Sequence, residues 1–141
     1  MKKKYIVCLV SFFAVYGCTA DRSWNFRTDY LSVDIDRKGY ITSMKNVTVF
    51  PAREFSPEDR PLSLYDSRKK MYHYPQQADY DKKNNVLTLS YPNGSVAEIV
   101  LVPYDKYLKL TLISLEPRNG VDCVQWGDYY TNINNLLGEI I

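Results

Sequence analysis

VLTLSYPNGSVAEIVLV, residues 86–102, gives the clearest indication of the fold. Two apolar runs, 86–91 and 95–102, lie on either side of Pro92-Asn93-Gly94. An Asn-Gly pair between two such runs is the strongest short-range signal for a β-hairpin, because both residues tolerate the positive φ of a tight turn. In the second run the apolar residues Ala97, Ile99 and Leu101 fall on one face. The stretch therefore predicts two antiparallel strands that share a core-facing side.

Residues 30–36 repeat this pattern, with apolar side chains at 31, 33 and 35 and polar ones at 32, 34 and 36. Such alternation is typical of a half-buried strand. Arg37-Lys38-Gly39 then supplies a turn, and residues 40–44 form the returning strand. Val47, Val49 and Phe50 either extend this strand or begin a third one.

Further strands are predicted at 62–65, 107–115 and 121–126, whereas 51–61 and 68–81 are predicted as irregular loops. Residues 132–141 fit either a short helix or the start of another element. The pattern gives about seven or eight strands joined by hairpins, with no long amphipathic helix. It predicts an all-β protein, an antiparallel β-sandwich that follows an N-terminal signal segment.

The first twenty residues have the features of a secretory leader. Lys2, Lys3 and Lys4 precede an uncharged apolar run, 5–16, which is too short to span a bilayer. The run ends in Val15-Tyr16-Gly17-Cys18, which resembles the lipobox of bacterial lipoproteins. The resemblance implies that Cys18 is lipidated, for example with palmitate, and becomes the first residue of the mature chain. An ordinary signal peptide cut after Ala20 and an uncleaved anchor are the alternatives.

This interpretation divides the chain into a signal peptide (1–17), a lipidated tether (18–29) and a β-sandwich domain (30–141). Within the tether, Trp24 and Phe26 are expected to pack on the fold. Thr19 is not the acidic residue that often retains lipoproteins at an inner membrane, so we expect an outer-membrane location in the cell envelope. The membrane is then a partner through the lipid anchor alone.

The charge balance excludes a nucleic-acid partner. The chain has 18 Lys and Arg against 16 Asp and Glu, but three of the lysines lie in residues 1–17, so the mature part has 15 against 16. Binding to nucleic acid requires a clustered positive face. The number of free cysteines in the mature chain is also smaller than in the full sequence. Cys8 is removed and Cys18 carries lipid, so Cys123 is left and is expected to be a small buried side chain without a disulfide.

No motif specifies a catalytic residue, a metal or a cofactor. Asp34-Ile35-Asp36 begins like a calcium loop, but Lys38 and Lys45 stand where further oxygen ligands are needed. The single histidine, His73, is predicted in a loop among tyrosines. Paired carboxylates for glycoside hydrolysis have candidates whose spacing is not specific. These are Asp122, Asp128 and Glu139.

Trp126-Gly127-Asp128-Tyr129-Tyr130 is the most suggestive patch. Aromatic faces beside a carboxylate suit a sugar, because apolar C–H faces stack on the rings and hydroxyls bond to the acid. Trp126, Asp128, Tyr129 and Tyr130 are therefore the candidate glycan-binding residues. The alternative is that Trp126 belongs to the core and the tyrosines pack at the domain edge.

Four segments together resemble the N-terminal, galactose-mutarotase-like β-sandwich of large Bacteroidetes carbohydrate-active lipoproteins. They are residues 31–44, 87–94, 107–112 and Val124-Gln125-Trp126-Gly127. The resemblance implies a non-catalytic module ahead of a separate catalytic domain of a glycoside hydrolase, with an oligosaccharide as ligand. The apolar C-terminal residues, 136–141, lead us to expect a domain truncated at its C terminus. A structural or protein-interaction envelope lipoprotein with an envelope protein partner is the alternative, and a self-contained hydrolase is the third hypothesis.

Overall fold

The computed structural model describes residues 23–55 and 62–127. Within these residues the chain forms eleven β-strands and no helix. In chain order they are β1 (Trp24–Arg27), β2 (Leu31–Ile35), β3 (Ile41–Asn46), β4 (Arg53–Glu54), β5 (Ser63–Asp66), β6 (Met71–His73), β7 (Gln77–Asp81), β8 (Val86–Ser90), β9 (Val96–Pro103), β10 (Leu108–Glu116) and β11 (Cys123–Gln125). In the same two ranges no helix is present that has the length and hydropathy to cross a bilayer.

The described strands form three antiparallel sheets. One sheet has the order β1-β2-β3-β4, the second β10-β9-β8-β7, and the third β11-β5-β6. Apolar residues from all three sheets meet in one core cluster. This arrangement confirms the predicted all-β, antiparallel β-sandwich, although with more strands than the seven or eight expected.

The core consists of the inward faces of these sheets. Side chains at alternate positions are fully buried, and each contributes about 1.5–3 kcal/mol relative to an exposed side chain. The largest of the fully buried apolar side chains are Ile35, Leu62, Leu64, Leu87, Leu89, Ile99 and Leu101.

The central hairpin follows its prediction closely. β8 pairs with β9 from Val86 opposite Val100 to Ser90 opposite Val96. The turn closes because the Gly94 amide donates to the Tyr91 carbonyl over 3.0 Å, with Gly94 at a φ of 82°. The other predicted hairpin, β2–β3, closes in a similar way. There Asp36 Oδ1 accepts hydrogen bonds from the amides of Lys38 and Tyr40, both at 2.9 Å, so this carboxylate organises the turn.

Four strands lie where the sequence predicted tether or loop. β1 lies in the predicted tether and pairs with β2, so the sheet begins at Trp24 and not at Tyr30. The expectation that Trp24 and Phe26 pack is confirmed, since Phe26 belongs to the core and Trp24 packs against it. β4 lies in the predicted loop 51–61, and β6 and β7 lie in the predicted irregular region 68–81. These strands are short, and β7 buries only Ala78, so their alternation is weak and their pairing partners define them.

Two single-residue predictions were wrong. Cys123 is exposed, because it opens β11 opposite Tyr65 on the face of the sheet that points away from the core. His73 is buried and lies in strand β6 opposite the core residue Leu64, not in a loop. Among the described residues the His73 Nε2 atom has no hydrogen-bond partner.

Candidate functional site

Of the predicted site residues, the described part of the chain contains only Trp126. It directly follows β11 and is 38% exposed. It lies outside the buried core cluster, which argues against the alternative that Trp126 belongs to the core. Asp128, Tyr129, Tyr130 and the lipidation residue Cys18 lie outside the described residues. The other candidate residues in the described part of the chain lie on the sheet that contains β11.

The sheet β11-β5-β6 carries three tyrosines in a row on one face. Tyr65 of β5 lies directly opposite Tyr72 of β6, and Tyr74 lies two residues further along the chain. The Tyr65 and Tyr72 ring centroids are 4.8 Å apart, and those of Tyr72 and Tyr74 are 6.2 Å apart with an interplanar angle of 18°. We call Tyr65, Tyr72 and Tyr74 the tyrosine row.

The tyrosine row lies on the outer face of this sheet. Leu64 and His73 are the sequence neighbours of Tyr65 and Tyr72 and are buried, so alternation directs the two tyrosines away from the core. Tyr72 is 43% exposed, and Tyr65 and Tyr74 are half-buried. Cys123 of β11 pairs with Tyr65 and extends this outer face by one strand. The result is a surface on which the rings of neighbouring tyrosines contact one another.

The row is held in place by the turn between β5 and β6. The buried carboxylate of Asp66 accepts hydrogen bonds from the amides of Arg68 and Lys69, each at 3.0 Å. The Lys69 Nζ atom lies 3.8 Å from the same carboxylate. Gly120 packs on Asp66 so closely that a Cβ atom there would lie 2.7 Å from Asp66 Oδ2. The turn is therefore fixed from both sides.

A second connection joins the row to the segment before β11. The Asp122 amide donates to the Tyr65 carbonyl, and Asp122 Oδ2 accepts from the Ser67 amide and hydroxyl, both at 2.7 Å. These Ser67 hydrogen bonds, with a smaller contribution from the Arg68 charge, lower the pKa of Asp122 below its ordinary value. Asp122 is thus ionised at neutral pH and ties two loops together, which does not suit it for donating a proton in glycoside hydrolysis.

A second aromatic surface lines a groove of about 510 Å³ beside β1. Here a guanidinium covers the Trp24 ring and the Phe26 ring is buried. The Arg37 guanidinium lies 4.5 Å from the Trp24 ring centroid, and Tyr80 contacts Trp24 edge-on at 6.1 Å. The Tyr80 hydroxyl donates to Asn85 Oδ1. The tyrosine row, whose central ring is more open, is the better candidate for binding.

Sequence reasoning missed the tyrosine row because Tyr72 and Tyr74 lie in the region 68–81, which was predicted as irregular, whereas Tyr65 lies in a predicted strand. The signal that could have found it is the alternation Tyr72-His73-Tyr74, with two aromatic residues on either side of a residue that the core buries. The second tyrosine pair, Tyr65 with Tyr72, depends on strand register, which the sequence does not give.

Exposed tyrosine rings offer apolar faces for stacking and hydroxyl groups for hydrogen bonds, a combination that suits a sugar. In residues 23–55 and 62–127 no cluster of three or more His, Cys, Asp or Glu side chains is placed to hold a metal ion. Comparisons of the chain with protein-family models, with curated protein sequences and with solved structures return no match.

Proposed function

We propose that this protein is a membrane-anchored lipoprotein whose β-sandwich is a non-catalytic module for binding a glycan. The observation that carries the proposal is the tyrosine row on the outer face of the sheet β11-β5-β6. Its three rings are set by strand register and by the buried Asp66 turn, so little conformational freedom is lost when a ligand stacks on them.

The row suits an extended oligosaccharide better than a single sugar. The three ring centroids are separated by successive steps of 4.8 and 6.2 Å, so a chain lying along the row meets more than one ring. Trp126 follows β11, the strand on the far side of β5 from Tyr72, and can add a further aromatic contact. Asp128, Tyr129 and Tyr130 come next in the sequence. They remain candidate contacts because aromatic faces beside a carboxylate suit a sugar.

The leader, with its lipobox-like end at Cys18, supports the membrane anchor. Cys18 carries the lipid, which places the module in the cell envelope at the outer membrane. We assign the module no catalytic residue, and we place any glycan processing in a separate catalytic domain. We assign it no cofactor.

A panel of oligosaccharides tested against the full chain by calorimetry examines the proposal. Tyr72→Ala should weaken binding about tenfold or more, because one ring-stacking contact contributes about 1–3 kcal/mol. Tyr72→Phe, which keeps the ring, should stay within about threefold of the native affinity. Tyr107→Ala, at an exposed tyrosine outside the row, is the matched control and should leave affinity unchanged.

A folded protein that binds no glycan on the panel would overturn the binding function. One observation favours the alternative, an envelope protein partner, in that case. β10 is an edge strand of its sheet and carries the exposed Ile113 beside a cleft of about 360 Å³. Edge strands offer unpaired backbone groups to another chain. Affinity capture from the native envelope should then return one stoichiometric partner, and Ile113→Lys should abolish it.

A further inference from the structure

One end of the sandwich carries exposed apolar side chains on three neighbouring turns, and we infer that this end contacts the lipid bilayer. The turns join β1 to β2, β3 to β4 and β9 to β10. We call their exposed apolar residues the apolar end. They are Tyr30, Val49, Phe50, Tyr104 and Tyr107.

Backbone hydrogen bonds show that the three turns lie side by side. The Asp29 amide donates to the Asp105 carbonyl over 2.9 Å, which joins the first turn to the third. The Val47 amide donates to the Tyr30 carbonyl over 3.0 Å, which joins the first turn to the second. The exposed side chains therefore belong to one continuous end of the molecule.

The side chains at this end have the character of membrane-interface residues. Phe50 is fully exposed at the tip of its turn. The Tyr104 and Tyr107 rings stack on each other at 4.8 Å and are both about half exposed. Tyrosine and other aromatic residues are enriched at the headgroup level of membranes, where an apolar ring and a polar tip are both satisfied.

The exposed charges on and next to the three turns nearly balance. Two acids, Asp29 and Asp105, lie there with three cations, Arg27, Arg53 and Lys106. The neighbouring turn between β7 and β8 adds Lys82, which lines the same groove as Arg27. The three turns themselves therefore carry too few cations for a polybasic patch that needs anionic lipid. The balance favours insertion of apolar side chains into the interface of a bilayer with no strong surface charge.

The anchor assigned to Cys18 keeps this end within reach of the membrane, and this step rests on the proposed function. Cys18 and Ser23 are five positions apart, so the tether spans about 18 Å at most. β1 then runs about 10 Å from Trp24 to Arg27, where the apolar end begins. The tether is long enough to run back along β1. The opposite end of β2 and β3 bears the charged turn of Asp36, Arg37 and Lys38, which has no reason to enter lipid.

Tryptophan quenching in vesicles tests the inference on the full chain. The probe is phosphatidylcholine vesicles that contain brominated acyl chains, and the variants are Phe50→Trp at the apolar end and Lys38→Trp at the charged turn. Trp24 and Trp126 give the same background in both. Because interfacial side chains enter about 5–10 Å, the added emission of Phe50→Trp should be quenched about twofold more than that of Lys38→Trp.

Two readouts separate the inference from the anchor on which it rests. The mass of the mature chain reports lipid at Cys18, and repeating the quenching with Cys18→Ala removes the anchor. Lipid at Cys18 with equal quenching of the two tryptophans would overturn the membrane-facing end and leave the anchor intact. No lipid at Cys18, with selective quenching of Phe50→Trp, would overturn the anchor and support the apolar end. Shielding of Phe50→Trp from acrylamide without bromolipid quenching would indicate a protein contact and also overturn the inference.

Discussion

The tyrosine row and the apolar end both expose aromatic rings, but the chain holds them in different ways. The row depends on contacts between residues far apart in sequence, such as Ser67 with Asp122, which are 55 positions apart. At the apolar end, two of the turns are closed by their own side chains. Thr28 Oγ1 accepts from the amides of Tyr30 and Leu31, and Asn46 Oδ1 accepts from the Thr48 amide.

How the rings are held determines which ligand each surface suits. Rings fixed by tertiary contacts keep their spacing, which suits a ligand whose own units are regularly spaced. Rings on locally closed turns can adjust without disturbing the core, which suits a surface that varies from place to place, such as a bilayer. The comparison therefore predicts that substitutions supporting the row cost stability, whereas substitutions at the apolar end do not.

Between the two surfaces, the larger effect on stability is expected at Gly120, which supports the row. Gly120→Ala introduces a Cβ atom 2.7 Å from Asp66 Oδ2 at a residue with a φ of 73°. Strain and overpacking together should cost about 2–4 kcal/mol of unfolding free energy and weaken glycan binding. Gly94→Ala is the control, because its φ of 82° is similar but the nearest atom is 3.6 Å away. Urea unfolding that gives equal losses for the two variants would contradict the assigned role of Asp66.

A smaller effect is expected where the central hairpin holds the residue before β5. The Tyr91 hydroxyl donates to the Leu62 carbonyl over 3.1 Å in a buried setting. Tyr91→Phe leaves that carbonyl without this donor and should cost about 1–2 kcal/mol, measured by urea unfolding at neutral pH. Tyr107→Phe, at an exposed tyrosine, is the control for the loss of a hydroxyl alone. A loss no larger than that of the control would show that the hydroxyl does not hold β5.

The same tyrosine should give the protein an alkaline limit. Burial raises the pKa of Tyr91 well above its ordinary value of 10.0. The contribution of the neutral Tyr91 side chain to the unfolding free energy is fully present below pH 10. It is lost as the pH rises further, because the unfolded chain then releases a proton that the folded chain retains. The unfolding free energy of the native protein should fall more steeply above pH 10 than that of Tyr91→Phe. Parallel curves for the two proteins would contradict a buried, neutral Tyr91.

The smallest effect is expected at the apolar end. Phe50→Ser removes a fully exposed side chain and should change the unfolding free energy by no more than about 0.5 kcal/mol. Leu89→Ala, at a fully buried leucine, should cost about 2–5 kcal/mol in the same urea titration. A marked loss of stability from Phe50→Ser would mean that this residue packs on the domain, and the contrast between the two surfaces would fail.

The sequence was sufficient for the elements whose information is local. The Asn93-Gly94 turn, the alternation of 31–35 and the apolar faces of β8 to β10 all predicted strands that the structure contains. Period-two burial and turn chemistry act over a few residues, so a single sequence displays them. The same local signals indicated that Trp24 and Phe26 pack, although not that they form a strand.

Which residues meet across strands depends on the tertiary structure and is not visible in the sequence. β4, β6 and β7 are short or weakly alternating, and their strand state comes from pairing with a neighbour. Cys123 is exposed and His73 buried because strand register assigns each to a face, and a register is not visible in either residue's own surroundings. The tyrosine row follows from the same cause. Tyr65 and Tyr72 belong to two paired strands and Tyr74 follows the second, and the distant Asp122 ties the segment before β11 to this pair.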